Sequence, residues 1–449
     1  MIFPQDFSWG VATAAYQIEG AVQAGNRGAS IWDRFCERPG AVVDGSSGAV
    51  ACDHYHRCEQ DIQLMQSIGC QAYRFSIAWP RVQPSGKGQP NPEGLAFYDR
   101  LVDLLLSAGM TPFATLYHWD LPQALQDDRF AEYTAIMVSC LSDRVVHWIT
   151  LNEPQCFIGL GYHTGQHAPG MQLGWEQTLL AAHHSLLAHG KAAQAARAAA
   201  VKPVKLGIAM VGSVTCPMTE DKATIEAAKE AAFASNGNDL WNNAWFADPI
   251  FLGHYPEDGS AIFKEVMPET SEYDLSLISQ PLDFYGANIY RGDFIRINET
   301  GASERVPLPY GYARSAYPYW AVTPEALYWG PLFYYERYKT PIYITENGFS
   351  STDWVALDGK VHDPQRVDFT ARYLQALLRA IHEGCDVRGY FHWTLLDNFE
   401  WGEGFNQRFG LIHVDFNTQA RTLKDSAIWY RSLIKTNGAI LSTQEAQAA

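Results

Sequence analysis

Basic side chains are scarce in this sequence. Its 449 residues include 33 Lys and Arg against 49 Asp and Glu, which gives a formal net charge of −16. A field of this sign repels phosphate backbones and anionic lipid, so we expect neither nucleic acid nor a membrane surface as a partner. The sequence has no run of about 20 apolar residues that could span a bilayer. Residues 1–20 also lack the basic cluster and apolar stretch of a signal peptide, and we expect a cytoplasmic protein.

Cysteine is sparse and scattered, with 8 residues in the whole chain. Small secreted domains carry dense cysteine frameworks instead, so free thiols are expected here. The densest cluster, Cys52, His54, His56 and Cys58, contains residue types that bind zinc. On a helix capped by Asp53, however, His54 and Cys58 share a face while His56 points elsewhere. The spacing favours an ordinary helix start, and we predict no metal site.

A dinucleotide-binding turn and polar linkers are missing too. No G-x-G-x-x-G follows the first predicted strand, which counts against a dinucleotide-binding fold. No low-complexity linker divides the chain, and the Ala-rich stretch 191–200 predicts the end of a long helix. We therefore expect one domain over residues 1–449. The small, polar stretch from about residue 436 to 449 is expected to form a flexible tail.

What the sequence does contain is a repeated unit, in which an amphipathic helix ends at Gly and a run of β-branched and aromatic residues follows. Clear helices are predicted at 54–68, 95–108 and 364–383, each followed by such a run. Eight runs of this kind occur, near 7–12, 72–77, 112–117, 145–151, 205–211, 283–289, 341–345 and 388–393. Strands separated by helices must pair in parallel. The pattern favours a single (β/α)8 barrel with long βα loops, although an open doubly wound sheet would give a similar pattern.

Polar residues crowd the carboxyl ends of these runs. The strand ends carry Gln17, Arg74, His118, Trp119, Asn152, Glu153, Asn288, Tyr290, Glu346, Asn347 and Trp393. In a barrel these ends converge on one mouth, so residues far apart in sequence form one site. The long stretch 291–322, rich in Tyr, Pro, Arg and Gly, follows the sixth strand and is expected to form a rim over that mouth.

Two of these residues, Glu153 and Glu346, are carboxylates in apolar surroundings. Each alone could be a structural salt bridge or a helix cap. As a pair they match glycoside hydrolysis, which needs one neutral acid and one anion that attacks carbon or activates water. Arg74 and the Tyr290 hydroxyl are expected to keep one glutamate ionised while burial holds the other protonated. The spacing leaves open which glutamate has which role.

A sugar presents hydroxyls on its edges and C–H groups on its faces, so its pocket needs polar side chains around an aromatic platform. The hydrogen-bonding candidates are Gln17, His118, Asn152, Glu400 and Trp401, and Trp393 is the candidate platform. A single Trp or His of this kind could equally belong to the core. Their joint placement at strand ends is the evidence for a site.

With these residues the chain resembles the glycoside hydrolase family 1 β-glucosidases from end to end. The motifs that carry the resemblance are F-S-W-G-V-A-T-A-A-Y-Q-I-E-G at 7–20, T-L-N-E-P at 150–154 and I-T-E-N-G at 344–348. The resemblance implies a (β/α)8 barrel, retention of configuration and no cofactor. It also implies that Glu346 is the nucleophile and Glu153 the general acid/base.

The resemblance extends to the sugar contacts. The implied substrate-binding residues are Gln17, His118, Trp119, Asn152, Asn288, Tyr290, Trp393, Glu400, Trp401 and Phe409, with Arg74 and Tyr290 around the nucleophile. Family members that cleave 6-phosphorylated sugars carry Ser where this chain has Glu400, and thioglucosidases replace the acid/base glutamate with Gln. An unphosphorylated O-glucoside is therefore expected, with cellobiose, short cello-oligosaccharides and aryl glucosides as substrates and some β-galactoside or β-fucoside cleavage.

The chain also departs from the family pattern. Many members place Trp after Asn-Glu-Pro, whereas this chain has Gln155 and Cys156, which leaves the aglycone preference open.

The sequence has two alternative interpretations: a transglycosylase, which passes the glycosyl group to a sugar acceptor, and a sugar-binding barrel without catalysis. The second would be expected to lack one carboxylate, and both are present.

Overall fold

The computed structural model describes residues 2–124, 129–317 and 320–442. Over these residues the strands are β1 (Ser8–Ala12), β2 (Ala72–Ser76), β3 (Thr111–Tyr117), β4 (His147–Asn152), β5 (Lys205–Val211), β6 (Val214–Pro217), β7 (Phe284–Asn288), β8 (Gly292–Ile297), β9 (Ser303–Val306), β10 (Ile342–Asn347), β11 (Val387–Trp393), β12 (Ile412–Val414) and β13 (Arg421–Leu423). The α-helices are α1 (Ala15–Ile18), α2 (Ile31–Phe35), α3 (His54–Ile68), α4 (Trp79–Val82), α5 (Pro92–Ser107), α6 (Phe130–Leu141), α7 (Pro154–Ile158), α8 (Trp175–Ala199), α9 (Lys222–Phe233), α10 (Ala244–Phe251), α11 (Glu257–Ile262), α12 (Glu272–Ile278), α13 (Ala326–Tyr338), α14 (Pro364–His382) and α15 (Asp425–Lys435).

Eight of the strands close into a parallel barrel in the order β1-β11-β10-β7-β5-β4-β3-β2. The barrel closes between its first and last strands, because β1 pairs with β2 on one side and with β11 on the other. Each barrel strand overlaps one of the eight predicted runs, so the predicted (β/α)8 barrel is confirmed and the open-sheet alternative is excluded. The crossover helices make parallel pairing possible, since the chain must return to the same edge before each new strand.

The predicted helices have the expected ends, with two differences in their first turns. Helix α5 begins at Pro92, earlier than predicted, because the Asn91 side chain accepts a hydrogen bond from the Glu93 amide and caps it. Asp53 precedes α3 as predicted but is not a side-chain cap. Its backbone is left-handed, and its carboxylate instead contacts His56 Nδ1 and Arg57 Nε.

Aromatic rings fill the barrel interior. Phe113 of β3 stacks on His147 of β4 with ring centroids 4.1 Å apart and meets Phe391 of β11 at 4.8 Å. Tyr343 of β10 lies 5.3 Å from Phe284 of β7. The barrel is thus a packed core and not a pore, so a ligand can enter only from an end.

The rim predicted for 291–322 is more regular than expected. Strands β8 and β9 form an antiparallel hairpin within it, and β8 pairs in parallel with β6. In β8 the apolar residues Ile295 and Ile297 alternate with Arg296, but this run is too short to predict a strand by itself. The stretch predicted as an irregular rim therefore contributes two strands of a three-stranded sheet, whose third strand, β6, lies outside it.

The chain end and the Cys/His cluster show their own contacts. The Asn437 side chain donates to the Phe3 carbonyl at 2.8 Å, and Leu441 is buried. These residues begin the stretch predicted as a tail, whose residues 443–449 lie outside the described part of the chain.

In the Cys/His cluster, His54 Nδ1 contacts Asp61 at 2.8 Å and Cys52 Sγ contacts the Asp397 carbonyl at 3.0 Å. Within the described ranges, no helix is both long and apolar enough to cross a membrane.

Candidate active site

The carboxyl ends of the barrel strands surround a cavity of about 710 Å³. Nine of the residues predicted for the site line it: His118, Trp119, Glu153, Asn288, Tyr290, Glu346, Trp393, Glu400 and Trp401. They come from the ends of β3, β4, β7, β10 and β11 and from the segments that follow these strands. The structure therefore brings together residues that are up to 283 positions apart, from His118 to Trp401.

Glu153 follows the last residue of β4 and precedes α7. Its side chain is 6 % exposed, and its Oε1 accepts a hydrogen bond from Asn288 Nδ2 at 2.7 Å. The Cys156 thiol lies 3.0 Å from its Oε2. No described cation is paired with this carboxyl. Burial and repulsion from Glu346 raise the pKa of Glu153 to about 7.

Glu346 lies on β10, opposite Asn288 of β7, and is held by a cation. Arg74 Nη1 is 2.6 Å from its Oε1, and the Tyr290 hydroxyl donates to its Oε2 at 2.7 Å. Burial raises the pKa of Glu346, while Arg74 and Tyr290 act in the opposite direction. Because Arg74 contacts Glu346 and not Glu153, a proton shared by this pair is favoured on Glu153.

Besides Glu346, Arg74 contacts the side-chain amide of Asn152. Its Nη2 donates to Asn152 Oδ1 at 2.6 Å, and Asn152 Nδ2 lies 3.0 Å from His118 Nε2. Burial, and to a lesser degree Arg74, hold the pKa of His118 well below its usual range, so its ring is neutral. Since Nε2 accepts from the amide, the ring proton lies on Nδ1. That atom is buried and has no hydrogen-bond partner among the described residues, which leaves a donor for a ligand.

A second buried polar atom without a partner among the described residues lies behind the cavity wall, on α1 after β1. Gln17 Nε2 donates to Glu400 Oε2 at 3.1 Å and to the Phe399 carbonyl at 2.8 Å. Its Oε1 is buried without a described partner. Burial and the charge of Glu346 raise the pKa of Glu400 to about 8. An unpaired buried amide oxygen is costly unless a ligand hydroxyl satisfies it.

Aromatic rings form one wall of the cavity. Trp401 packs on Trp119 with centroids 4.5 Å apart and is stacked with Tyr16 at an interplanar angle of 8°. Trp393 lies nearly parallel to the His118 ring, 5.9 Å away. Trp119, Glu153 and Trp401 have left-handed backbones with φ of 76°, 49° and 48°. Such conformations are unfavourable for side-chain-bearing residues and cluster at functional sites.

Some predicted residues lie behind the cavity wall. Gln17, Arg74 and Asn152 do not line the cavity but form hydrogen bonds to residues that do, namely Glu400, Glu346 and His118 respectively. Phe409 was predicted to bind substrate, but it is 2 % exposed and packs behind Tyr290 and Trp320 at about 6.1 Å. The structure gives Phe409 a supporting position and no face on the cavity.

Several residues that line the cavity were not predicted individually from the sequence. They include Leu160, His167, Asn236, Asn238, Asp239, Trp241, Arg305, Tyr317 and Trp320. Arg305, Tyr317 and Trp320 belong to the predicted rim 291–322, where Tyr317 and Trp320 stack at 4.4 Å. For Asn236, Asn238 and Asp239 a signal was their clustering near Trp241, a composition typical of ligand-binding loops.

A closed (β/α)8 barrel that holds a buried carboxylate pair, unpaired amide and imidazole groups and an aromatic wall at its mouth defines a glycoside hydrolase. Comparison with known proteins makes this class specific. The family model described as glycosyl hydrolase family 1 matches residues 1–439. The chain belongs to this family.

Similar proteins span its whole length. Beta-glucosidase A of Thermotoga maritima is 42% identical over 447 residues, which cover 97% of this chain and 98% of that protein. The bifunctional beta-D-glucosidase/beta-D-fucosidase of Bifidobacterium breve is 41% identical over 477 residues, covering 98% and 99% of the two chains. The solved structure of the Thermotoga maritima beta-glucosidase in complex with glucoimidazole superposes with a TM-score of 0.88 at 41% identity, covering 97% and 99%.

Proposed function

We propose that this protein is a retaining β-glucosidase that removes terminal β-D-glucosyl residues from the non-reducing end of its substrates. The observation that carries the proposal is the asymmetry of the carboxylate pair. Glu346 is paired with Arg74 at 2.6 Å, whereas Glu153 has hydrogen-bond partners but no paired cation among the residues that the structure describes, and its pKa is raised to about 7. One anion and one proton-bearing acid are what a double displacement requires.

In the first step the Glu346 carboxylate attacks the anomeric carbon as the glycosidic C–O bond breaks. Glu153 gives its proton to the departing oxygen, so the aglycone leaves as a neutral alcohol. The Tyr290 hydroxyl, 2.7 Å from Glu346 Oε2, orients the nucleophile. The product of this step is a glycosyl ester on Glu346 and an ionised Glu153.

In the second step water attacks the same carbon and the ester bond to Glu346 breaks. Glu153, now ionised, takes a proton from the water, which restores both side chains. Two inversions at one carbon give net retention. By the family resemblance we expect Asn152, which is held by Arg74 and His118, to bond the sugar 2-OH, and this contact would strengthen in the transition state.

The part of the cavity that would hold the glycone, the sugar that is removed, favours a neutral hexose. Gln17 Oε1 and His118 Nδ1 are buried hydrogen-bonding atoms that have no partner among the described residues, and Glu400, when it is ionised, disfavours a 6-phosphate. The aromatic core beneath the cavity leaves no second exit, which supports exo cleavage. Relatives named for glucoside, 1,4-beta-D-glucan and fucoside cleavage support cellobiose and short cello-oligosaccharides as substrates, with β-fucosides as a secondary class.

We place the protein in the cytoplasm, where it would act on imported sugars released by cellulose degradation. All eight cysteines are free thiols, and Cys52, Cys58 and Cys70 are buried. Unpaired thiols are typical of proteins from reducing compartments.

The test is chemical rescue of Glu346→Gly. This variant should lose hydrolysis of nitrophenyl β-glucosides but regain activity with azide or formate, and azide should give the α-glucosyl azide. Glu346→Gln is the matched control, because its side chain fills the space and should not be rescued. Absence of rescue, or an inverted first product from the unmodified enzyme by NMR, would contradict the proposal.

A further inference from the structure

The thiol of Cys156 lies against the carboxyl of Glu153. Cys156 stands three positions after Glu153, at the start of α7, and its backbone N–H donates to the Glu153 carbonyl at 2.9 Å. This turn brings the two side chains onto one side, with Sγ 3.0 Å from Oε2. The thiol is 5 % exposed and lines the cavity, so it faces the reacting groups and not the core alone.

The hydrogen bonds of Asn288 distinguish the two oxygens of Glu153. Arg74 Nη2 donates to Asn152 Oδ1 at 2.6 Å, so this oxygen can only accept, and the Asn288 atom 3.1 Å from it is the amide nitrogen Nδ2. Asn288 Nδ2 therefore also donates to Glu153 Oε1 at 2.7 Å, while Asn288 Oδ1 accepts from the Thr345 hydroxyl at 2.6 Å. An amide N–H₂ has no lone pair to accept a proton. The thiol differs from the amide because its S–H can turn away and its sulfur can accept weakly, so the proton of Glu153 is favoured on Oε2, the oxygen beside the thiol.

We propose that Cys156 is a positioning residue that holds Oε2 of Glu153, the oxygen that exchanges the proton with the leaving group and then with water. The proposal rests on the acid/base role proposed above for Glu153. The S–H group donates to Oε2 and, together with Asn288 on Oε1, fixes the plane of the carboxyl. The contact is strongest when Glu153 is ionised, since hydrogen bonds to charged acceptors exceed those to neutral ones.

The surroundings keep the thiol protonated, as this role requires. Burial, followed by the charge of Glu153, raises the pKa of Cys156 well above its usual range. The titratable and charged groups that act on Glu153 from the neighbouring elements are Glu346, Arg74, Tyr290, Tyr317 and Glu400. Of the described side chains, the thiol and the Asn288 amide donate directly to this carboxyl.

The test compares Cys156→Ala and Cys156→Ser. Loss of the donor in Cys156→Ala disfavours ionised Glu153, so the basic limb of the pH profile of kcat/KM should move upward by about half to one pH unit. The rate for a glucoside with a poor leaving group should fall several-fold, while that for a dinitrophenyl glucoside should stay within about twofold. The serine hydroxyl should restore both properties.

Two controls separate the possible failures. Cys385→Ala removes another buried thiol just before β11. It should leave unchanged both the basic limb of the pH profile and the ratio of the rates for the glucosides with good and poor leaving groups. Glu153→Gln should lose the poor leaving group selectively; if it does not, the acid/base role itself fails. If Glu153→Gln behaves as expected but Cys156→Ala leaves the limb unmoved, slows all substrates equally or is not restored by serine, the positioning role is wrong.

Discussion

Removal of the Arg74 charge should raise the pKa of the nucleophile Glu346. Arg74 is 1 % exposed and contacts Glu346 Oε1 at 2.6 Å, the Thr345 carbonyl at 3.1 Å and Asn152 Oδ1 at 2.6 Å. In Arg74→Met the carboxylate stays buried but loses its cation. Breaking a buried ion pair in this way costs about 3–5 kcal/mol.

The cost appears as a pKa change, because the isolated carboxylate can take up a proton instead of unfolding the protein. One pKa unit corresponds to about 1.4 kcal/mol, so the pKa of Glu346 should rise by about 2–4 units. Catalysis needs Glu346 ionised. A raised pKa therefore moves the acid limb of kcat/KM upward by the same amount, and activity at a fixed pH on that limb falls about 100- to 10,000-fold.

The assay is the pH dependence of kcat/KM with 4-nitrophenyl β-glucoside, with circular dichroism to confirm folding. Tyr290→Phe removes one hydrogen bond from the same carboxylate and should move the acid limb by about one unit. Arg74→Lys keeps a positive charge but lacks the guanidinium fork that reaches Asn152. Its acid limb should therefore lie much closer to that of the unmodified enzyme than the acid limb of Arg74→Met does, but its kcat should stay below the full value. An unmoved acid limb in folded Arg74→Met would refute this account of the site.

Three further outcomes are expected. Because the pKa of Glu153 is raised to about 7 and its protonated form is the active one, kcat/KM should fall as pH rises through about 7, and Glu153→Gln should remove this limb. Glu400→Ala should lower kcat/KM for glucosides about 10- to 100-fold, with a smaller loss for deoxyglucosides that lack its hydroxyl partner; equal losses would contradict direct contact. A Cβ at Gly348 would lie 1.7 Å from the Trp393 carbonyl, so Gly348→Ala should lower the free energy of unfolding by about 2 kcal/mol or more in denaturant titrations. Gly359→Ala, with open space around it and φ of 78°, should cost only about 1 kcal/mol.

Local patterns carried the fold prediction. Apolar runs such as 205–211 and 388–393 correspond to β5 and β11, because strands covered on both faces need continuous apolar sequence. The Pro at 364 and Gly at 384 bounded α14 for equally local reasons. Position at strand ends then grouped Glu153 with Glu346, since every parallel strand of a barrel points toward the same mouth.

The rim shows where local patterns fail. Strands β8 and β9 were not predicted because a short hairpin depends on pairing with β6, which the spacing of apolar residues in 291–322 does not reveal. Phe409 was assigned to the substrate although it packs behind Tyr290. Both differences arise from contacts between segments, and a single segment cannot display them.

By itself, the sequence determined the alternation of strands and helices, the order of the strands along the chain and the two carboxylates at strand ends, because these follow from periodicity and from residue type. Closure into a barrel was favoured by the pattern, but the tertiary structure excluded the open sheet. Only the tertiary structure decided which glutamate meets Arg74, which oxygen of Glu153 is left for the proton, and that a thiol stands beside it. These properties depend on distances of about 3 Å between side chains from different strands. The free energy of a charge or a hydrogen bond changes steeply over that range, whereas the sequence pattern is the same at any distance.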